Sequence, residues 1–429
     1  IKKTSSGPSE VPWWIFRDYW DILSPIYLHI WNTSLRSSKF PDIYKRANLL
    51  PIAKKPISST LDDIRGISIT PLSARLFERA VHKKFINKLI NQLGDPYQFA
   101  YREGTSTTDA LLVLHYFLTS LLDNKNVGGV HCVSIDFAKA FDVLNQELAY
   151  KKFNTFLKSD RLSLWLYDFS KNRNQRLIWN NIKYSYKAID LGCSQGTVGG
   201  PNIFSIFTDD LRAISRFSIL LKYADDTIIL TPCPKSTNPL FHEMANSYHD
   251  EIINIFNWST ENQLPINIKK TASIFFSLNP NHKCTCKQPV VTISNVSKIK
   301  YLGVLFQSNM RFNQHICEII TSLRKKLFIF KDLKINNCPQ EKVDQVFDSL
   351  ILSRLRYGLS IYGSYSSAMK PINEFLKYAY QKKYISILYD INLIREKQDL
   401  SILRKILKNP NHIMSKYNVE IHRISKKGT

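Results

Sequence analysis

The 429-residue sequence predicts an α+β fold organised around an antiparallel sheet that carries carboxylates at its strand ends. Three observations predict it. Lys222-Tyr-Ala-Asp-Asp-Thr227 lies between two apolar runs, Ser218-Ile-Leu-Leu and Thr227-Ile-Ile-Leu230, the pattern of a tight hairpin with two acids at its turn. A second strand pattern, Val130-His-Cys-Val-Ser-Ile135, runs straight into Asp136. The third observation is a surplus of positive charge along the whole chain. Strands of this kind seek burial, and bare carboxylates at their ends are costly unless counter-charge offsets them. Two Mg²⁺ ions roughly 4 Å apart would supply that charge, and such a pair can activate an attacking hydroxyl and stabilise a leaving pyrophosphate.

A chain of this length exceeds one ordinary domain, so two or three packed units are expected. Hydrophobic content of 44% and aromatic content of 12% exclude a disordered tail. Lys and Arg number 59 against 35 Asp and Glu, a formal charge of +24, which implies a polyanionic partner, most commonly nucleic acid. Seven cysteines at scattered positions argue against a disulfide framework and fit a reducing compartment. His282-Lys-Cys-Thr-Cys286 has poor spacing for zinc and reads as a surface loop with incidental thiols. No apolar run is long enough for a membrane span. The first residue is Ile1 rather than Met, which reads as a fragment of a larger product.

In chain order, the aromatic stretch from Val11 to Trp31 reads as helix after the Pro12 start signal. Arg46-Ala-Asn-Leu-Leu-Pro-Ile-Ala-Lys-Lys55 and Arg65-Gly-Ile-Ser-Ile-Thr70 read as two strands of a basic hairpin. Helical spacing recurs from Ser73 to Leu93 and from Ser106 to Leu122. Mostly helix is expected from Asn145 to Ser170, and again from Asn202 to Ile214 after the glycine-rich Gly192–Pro201. Another helix runs from about Pro239 to Gln263, capped by Asn238. Strands follow at Asn267 to Ser277 and Val290 to Phe306. From Arg311 helices carry basic clusters: Arg324-Lys325-Lys326, Lys382-Lys383, Arg404-Lys405 and Lys426-Lys427.

With these motifs in order, the chain resembles the reverse transcriptases of non-LTR (LINE-type) retrotransposons. The resemblance rests on Leu50-Pro-Ile-Ala-Lys-Lys55, Arg65-Gly-Ile-Ser68, the segment Gln98 to Asp109, the Asp136 strand and Asn172-Arg-Asn-Gln-Arg176. It continues through Gln195-Gly196, the hairpin acids, Asn267-Ile-Lys-Lys-Thr271 and Tyr301-Leu-Gly303, and is strong over about residues 40 to 310. It implies a right-hand polymerase fold, with an N-terminal helical extension over 1–45, fingers and palm over 46–310, and a basic helical thumb and C-terminal extension over 311–429. The implied activity is RNA-directed DNA polymerisation by two-metal catalysis, with Mn²⁺ a possible substitute for Mg²⁺. The implied partners are an RNA template, a DNA primer or nicked target DNA, and dNTPs, within a ribonucleoprotein of nucleus and cytoplasm.

Carried over by position, Asp136, Asp225 and Asp226 become the catalytic, metal-holding carboxylates. Asp142 reads instead as a local helix or turn cap. Phe141 falls where the family places a bulky ring under the incoming sugar. Lys54 and Arg65 match the fingers over the triphosphate, where cations stabilise phosphoryl transfer. Gln195 and Gly196 match the support for templating base and primer, glycine allowing close backbone approach. Lys270 matches a lysine near the leaving pyrophosphate, a possible proton donor. Arg102 and the clusters Arg324, Lys325, Lys326, Lys382 and Lys383 are candidates for nucleic-acid contact. Ser194, Gly66 and Gly199-Gly200 depart from the family's usual residues without removing a catalytic group. Two alternatives stand beside this reading: a catalytically decayed nucleic-acid-binding remnant of such an element, and another palm enzyme such as a nucleotide cyclase or RNA-copying polymerase. Phe141 and the long spacing from Asp136 to Asp225 favour DNA synthesis.

Overall fold

The computed structural model describes residues 3–56, 60–279, 281–364, 366–410 and 412–417; the expected cluster Lys426-Lys427 lies outside them. Helices Trp13–Asp18 and Trp20–Ser37 open the chain. Strands β1 (Arg46–Ala53) and β2 (Ile64–Ile69) then pair antiparallel, with Ile52 opposite Arg65. The basic hairpin is therefore formed. Pro51 lies past Arg46–Leu49, the stretch of β1 covered on its other side, where an absent N–H is tolerated.

The pattern from Ser73 to Leu93 becomes helix Leu72–Val81, a π-turn at His82–Ile86 and helix Asn87–Leu93. Helix Thr107–Asp123 begins at Ser106, whose hydroxyl accepts from the Asp109 amide. The central strand β3 (Val127–Ile135) follows, then helices Gln146–Leu157 and Asp160–Ser170. Strand β4 (Arg173–Trp179) pairs parallel with β1, and the short β5 (Ile182–Lys183) and β6 (Lys187–Ile189) fold back on β4.

The helix expected from Asn202 to Ile214 instead spans Gly199–Phe207. Its start moves into the glycines because the buried Glu78 carboxylate accepts from the amides of Val198 (2.8 Å) and Gly199 (3.0 Å). A carboxylate at a helix N-terminus satisfies donors that the helix itself leaves open. The hairpin β7 (Ile219–Tyr223) and β8 (Asp226–Pro234) comes next, then helix His242–Glu261, preceded by Asn238 accepting from the Leu240 amide (3.0 Å). The strand expected from Asn267 begins only at β9 (Ala272–Phe276), because the amides of Lys270 and Thr271 turn back onto the Asn267 carbonyl. The apolar run to Phe306 divides into β10 (Ser294–Asn295), β11 (Lys298–Tyr301) and β12 (Val304–Gln307).

The second sheet runs β10-β9-β3-β8-β7, antiparallel except for β10 on β9. Alternation along β3 places Val130 and Cys132 in one apolar core and Val133 and Ile135 in the other. The first core continues through helix Thr107–Asp123 and β11–β12 into the helices after Phe312. The second is closed by helix His242–Glu261, helix Gly199–Phe207 and the stacked Trp31, Phe40 and Phe77. A sheet buried on both faces leaves its strand ends as the place for polar chemistry.

Candidate active site

Tyr223 pairs with Asp226, so β7 and β8 are joined by only Ala224 and Asp225. Ala224 adopts φ 58°, a left-handed conformation that costs a non-glycine residue about 1 kcal/mol. The buried Gln98 side chain holds it there: its Oε1 accepts from the amides of Ala224 and Ala100, both at 3.1 Å. Lys222, two residues before Ala224, is fully buried. Its ammonium meets Asp95 Oδ2 at 2.8 Å and donates to the carbonyls of Thr208 (2.6 Å) and Leu211 (2.8 Å). The Gln98 segment bridges to Lys222 as an extra edge. The acid-bearing turn is thus fixed from below by a charge pair and from the side by an amide.

Across the ladder Ile135 faces Thr227, so Asp136, the next residue along, leaves its strand beside Asp226. All three aspartates come to one end of the sheet. Burial, then the charges of Asp225 and Asp136, pushes Asp226 up to about 6, although its carboxylate reaches solvent. Asp225 is also raised, first by burial, with the charge of Asp136 adding and that of Arg65 opposing. Two raised carboxyls with Asp136 beside them form an electrostatic well suited to cations. The oxygen donors on neighbouring strands fit hard divalent cations.

Around this well stand several of the residues expected from the sequence. Lys270 Nζ lies 3.8 Å from Asp136 Oδ2, both solvent-accessible, and the turn carrying it is anchored by the Asn267 amide on the Asp136 carbonyl (2.7 Å). Arg65 is exposed on β2, and its charge is felt by Asp225 and Tyr101. Lys54 continues β1 into the hairpin loop, exposed, with its amide on the Asp63 carbonyl (2.7 Å). Lys55 instead pairs with Asp63 at 2.7 Å.

The Phe141 ring is half-buried, stacked on Phe204 (4.5 Å between centroids) and edge-on to Tyr101 (6.5 Å). Its carbonyl accepts from the Cys193 amide (2.8 Å), tying it to the glycine-rich loop. That loop also reaches the basic hairpin, since the Gln195 carbonyl accepts from the Ser68 amide (2.7 Å). Gly196 at φ 104° packs where a Cβ would come within 2.7 Å of the Ser68 carbonyl oxygen. Asp142, expected as a turn cap, instead accepts from Gln195 Nε2 at 3.0 Å and orients that side chain.

Arg102 is corrected outright. Its guanidinium donates to the carbonyls of Asp95 and Asn91, both at 2.8 Å, in a half-buried position, so it braces the fold and is not free for a phosphate. Arg324, Lys325, Lys382 and Lys383 are exposed on the C-terminal helices, and Lys326 is partly covered. Sequence reasoning missed Gln98, Lys222, Asp95 and Glu78. The signal available was a lone Lys in an apolar strand and a lone Glu on an apolar helix face, since each demands a buried partner.

A second correction concerns His282-Lys-Cys-Thr-Cys286. Rather than carrying incidental thiols, this segment brings Cys284 and Cys286 against His131 of β3, all three ligand atoms within 4.8 Å of one another.

Comparison with known proteins identifies the family. The family profile described as reverse transcriptase (RNA-dependent DNA polymerase) matches residues 52–306, more than half of the chain. The RNA-directed DNA polymerase from mobile element jockey of Drosophila melanogaster is 27% identical over 357 residues, 78% of this chain and 37% of that protein. The Pol polyprotein from type-1 retrotransposable element R1 of Bradysia coprophila is 25% identical over 73% of this chain and 31% of its own length. A telomerase structure from Candida tropicalis aligns over 93% of this chain and 63% of its own, with TM-score 0.46 and 12% identity. The chain spans about a third of the length of the curated relatives it matches. No helix among the described residues is long and apolar enough to cross a membrane. The chain belongs to the reverse transcriptase (RNA-dependent DNA polymerase) family, in its non-LTR retrotransposon branch.

Proposed function

We propose that this chain extends a DNA 3′-end with dNTPs on an RNA template, as the polymerase portion of a non-LTR retrotransposon protein. The carrying observation is the convergence of Asp136, Asp225 and Asp226 at one sheet end, with Lys270 and Arg65 beside them. Two Mg²⁺ ions held by these carboxylates, with Mn²⁺ as substitute, would supply an acidified primer hydroxyl and a charge clamp on the triphosphate. The chain's own residues do the rest. Lys54 and Arg65 on the basic hairpin bind the triphosphate. Lys270, 3.8 Å from Asp136, offers a proton to the departing pyrophosphate. Phe141, backed by Phe204, presents a rigid ring under the sugar and excludes a 2′-hydroxyl. Gln195 and Gly196 bring the backbone up to the template–primer pair.

The helices from Asn313 onward serve as a thumb, with Arg324, Lys325, Lys326, Lys382 and Lys383 on phosphates of template and target DNA. Residues 46–310 serve as fingers and palm, and 1–45 as a helical extension. Work on a nicked chromosomal target places the ribonucleoprotein in nucleus and cytoplasm. A decayed nucleic-acid-binding remnant has no observation in its favour, because the three acids and the shell that orients them are all present.

The test is extension of a DNA primer annealed to RNA, with and without Mg²⁺, for wild type and Asp225→Asn. The substitution keeps size and removes the charge that holds the ion. Metal-dependent extension lost in the variant is expected; undiminished extension by the variant would overturn the assignment.

A further inference from the structure

We propose that Cys233, Cys284, Cys286 and His131 form a structural zinc site that fastens the segment 281–288 to the palm sheet. His131 Nε2 lies 3.0 Å from Cys284 Sγ, and Cys233 Sγ lies 3.7 Å from the same sulfur. A tetrahedral ion with Zn–S near 2.3 Å sets its sulfurs about 3.8 Å apart, whereas a disulfide needs about 2.05 Å. The measured separation matches the first and excludes the second.

Cys233 and Cys286 are buried and Cys284 is exposed, so the cluster opens to solvent on one side. His131 is buried, its ring stacked on Tyr248 at 4.0 Å, and its Nδ1 has no partner, so only Nε2 is engaged, and with sulfur. The Thr285 amide donates to Cys233 Sγ and the Cys286 amide to Cys284 Sγ, both at 3.4 Å, as second partners of thiolates commonly do. His282 Nε2 sits 3.8 Å from Cys233, over Gly128, where a Cβ would strike its ring at 2.2 Å.

The position argues for a structural ion. Cys233 faces Gly129 at one end of the β3–β8 ladder, while Thr227 faces Ile135 at the end holding the acids. The two ends are six positions apart along the strand, roughly 20 Å. The segment 281–288 has no helix or strand of its own and meets helix His242–Glu261 through the Lys287 amide on the Ala245 carbonyl (3.0 Å). A metal linking it to two strands would add binding free energy directly to folding.

The experiment is metal analysis of the full chain purified without added chelator. About one zinc per chain is expected, falling below about 0.2 in Cys233→Ser and Cys284→Ser and unchanged in Cys317→Ser. His131→Asn should lose zinc and His282→Asn should keep most of it; the reverse would overturn the choice of His131. Because a cysteine variant can fail to fold, wild type is also stripped with chelator and titrated with Co²⁺. Saturation near one equivalent, with the intense absorption of tetrahedral thiolate-bound cobalt and a rise in melting temperature of about 5 °C, is expected. No zinc in the purified chain together with no such cobalt spectrum, or a Cys233–Cys284 disulfide in the mass spectrum, would overturn the site. None of these readouts depends on polymerase activity.

Discussion

Lys222 Nζ and Asp95 Oδ2 stand 2.8 Å apart with both side chains almost sealed from water, and this pair supports the turn that carries Asp225. The ammonium also fills the carbonyls of Thr208 and Leu211, so its donors are fully used. Breaking a buried pair by removing one partner leaves an uncompensated charge, at a cost of about 3–5 kcal/mol. Lys222→Met and Asp95→Asn should each lower the urea midpoint accordingly, and the double variant should cost less than the sum. Strict additivity in that cycle would show the two residues act separately.

Asp226 provides the pH test. Its folded carboxyl is raised to about 6, above an unfolded value near 3.9, so the native state holds the proton more tightly. That contribution to stability is complete below about pH 4 and lost as pH rises through about 6. Metal-free wild type should therefore lose stability relative to Asp226→Asn over this window, by about 1 kcal/mol or less given its solvent access. Thermal melts at pH 4.5 and pH 7.5, with Mg²⁺ withheld, measure the difference; a gap that does not change with pH counts against the raised carboxyl. Mg²⁺ at pH 7.5 should stabilise wild type more than the variant.

Phe141→Ala should open room for a 2′-hydroxyl while leaving Phe204 and the acids in place. Ribonucleotide addition should rise relative to deoxynucleotide addition by about two decades in kcat/KM. Single-nucleotide incorporation on an RNA template gives the ratio, and an unchanged ratio would make Phe141 a packing residue only.

Replacing Arg324, Lys325 and Lys326 together by Ala should reduce the salt dependence of primer–template binding. Each lost phosphate contact removes about 0.9 from the slope of log K against log salt. A decrease of about 2 to 3 is expected from titrations between low and moderate salt. Arg102→Ala should behave differently, lowering stability through the freed Asp95 and Asn91 carbonyls.

Much of the site was legible because its signals are local. Alternating apolar residues ending on Asp136, and a two-residue turn ending on Asp226, specify strand ends whatever lies around them. The same holds for the basic hairpin of β1 and β2. Arg102 shows where this reasoning fails: a basic residue in a polar loop looks available until the carbonyls that occupy it are seen. The helix after the glycines was misplaced for a related reason. Its start is set by Glu78, far upstream in the chain, which no local pattern connects to Val198 and Gly199.

The sequence by itself determined the strand ends, the acids they carry, the basic hairpin and the sign of the charge. All of these depend on periodicity and residue chemistry within a few positions. The tertiary structure alone decided which buried charges are paired, how Gln98 holds the turn, and that Asp142 orients Gln195. It also decided that Cys233 and His131 complete the cluster begun by Cys284 and Cys286. Those partners lie tens to more than a hundred residues apart. For the cysteine–histidine cluster, the pairing register of β3 with β8 and the packing of the 281–288 segment against them bring the side chains into contact.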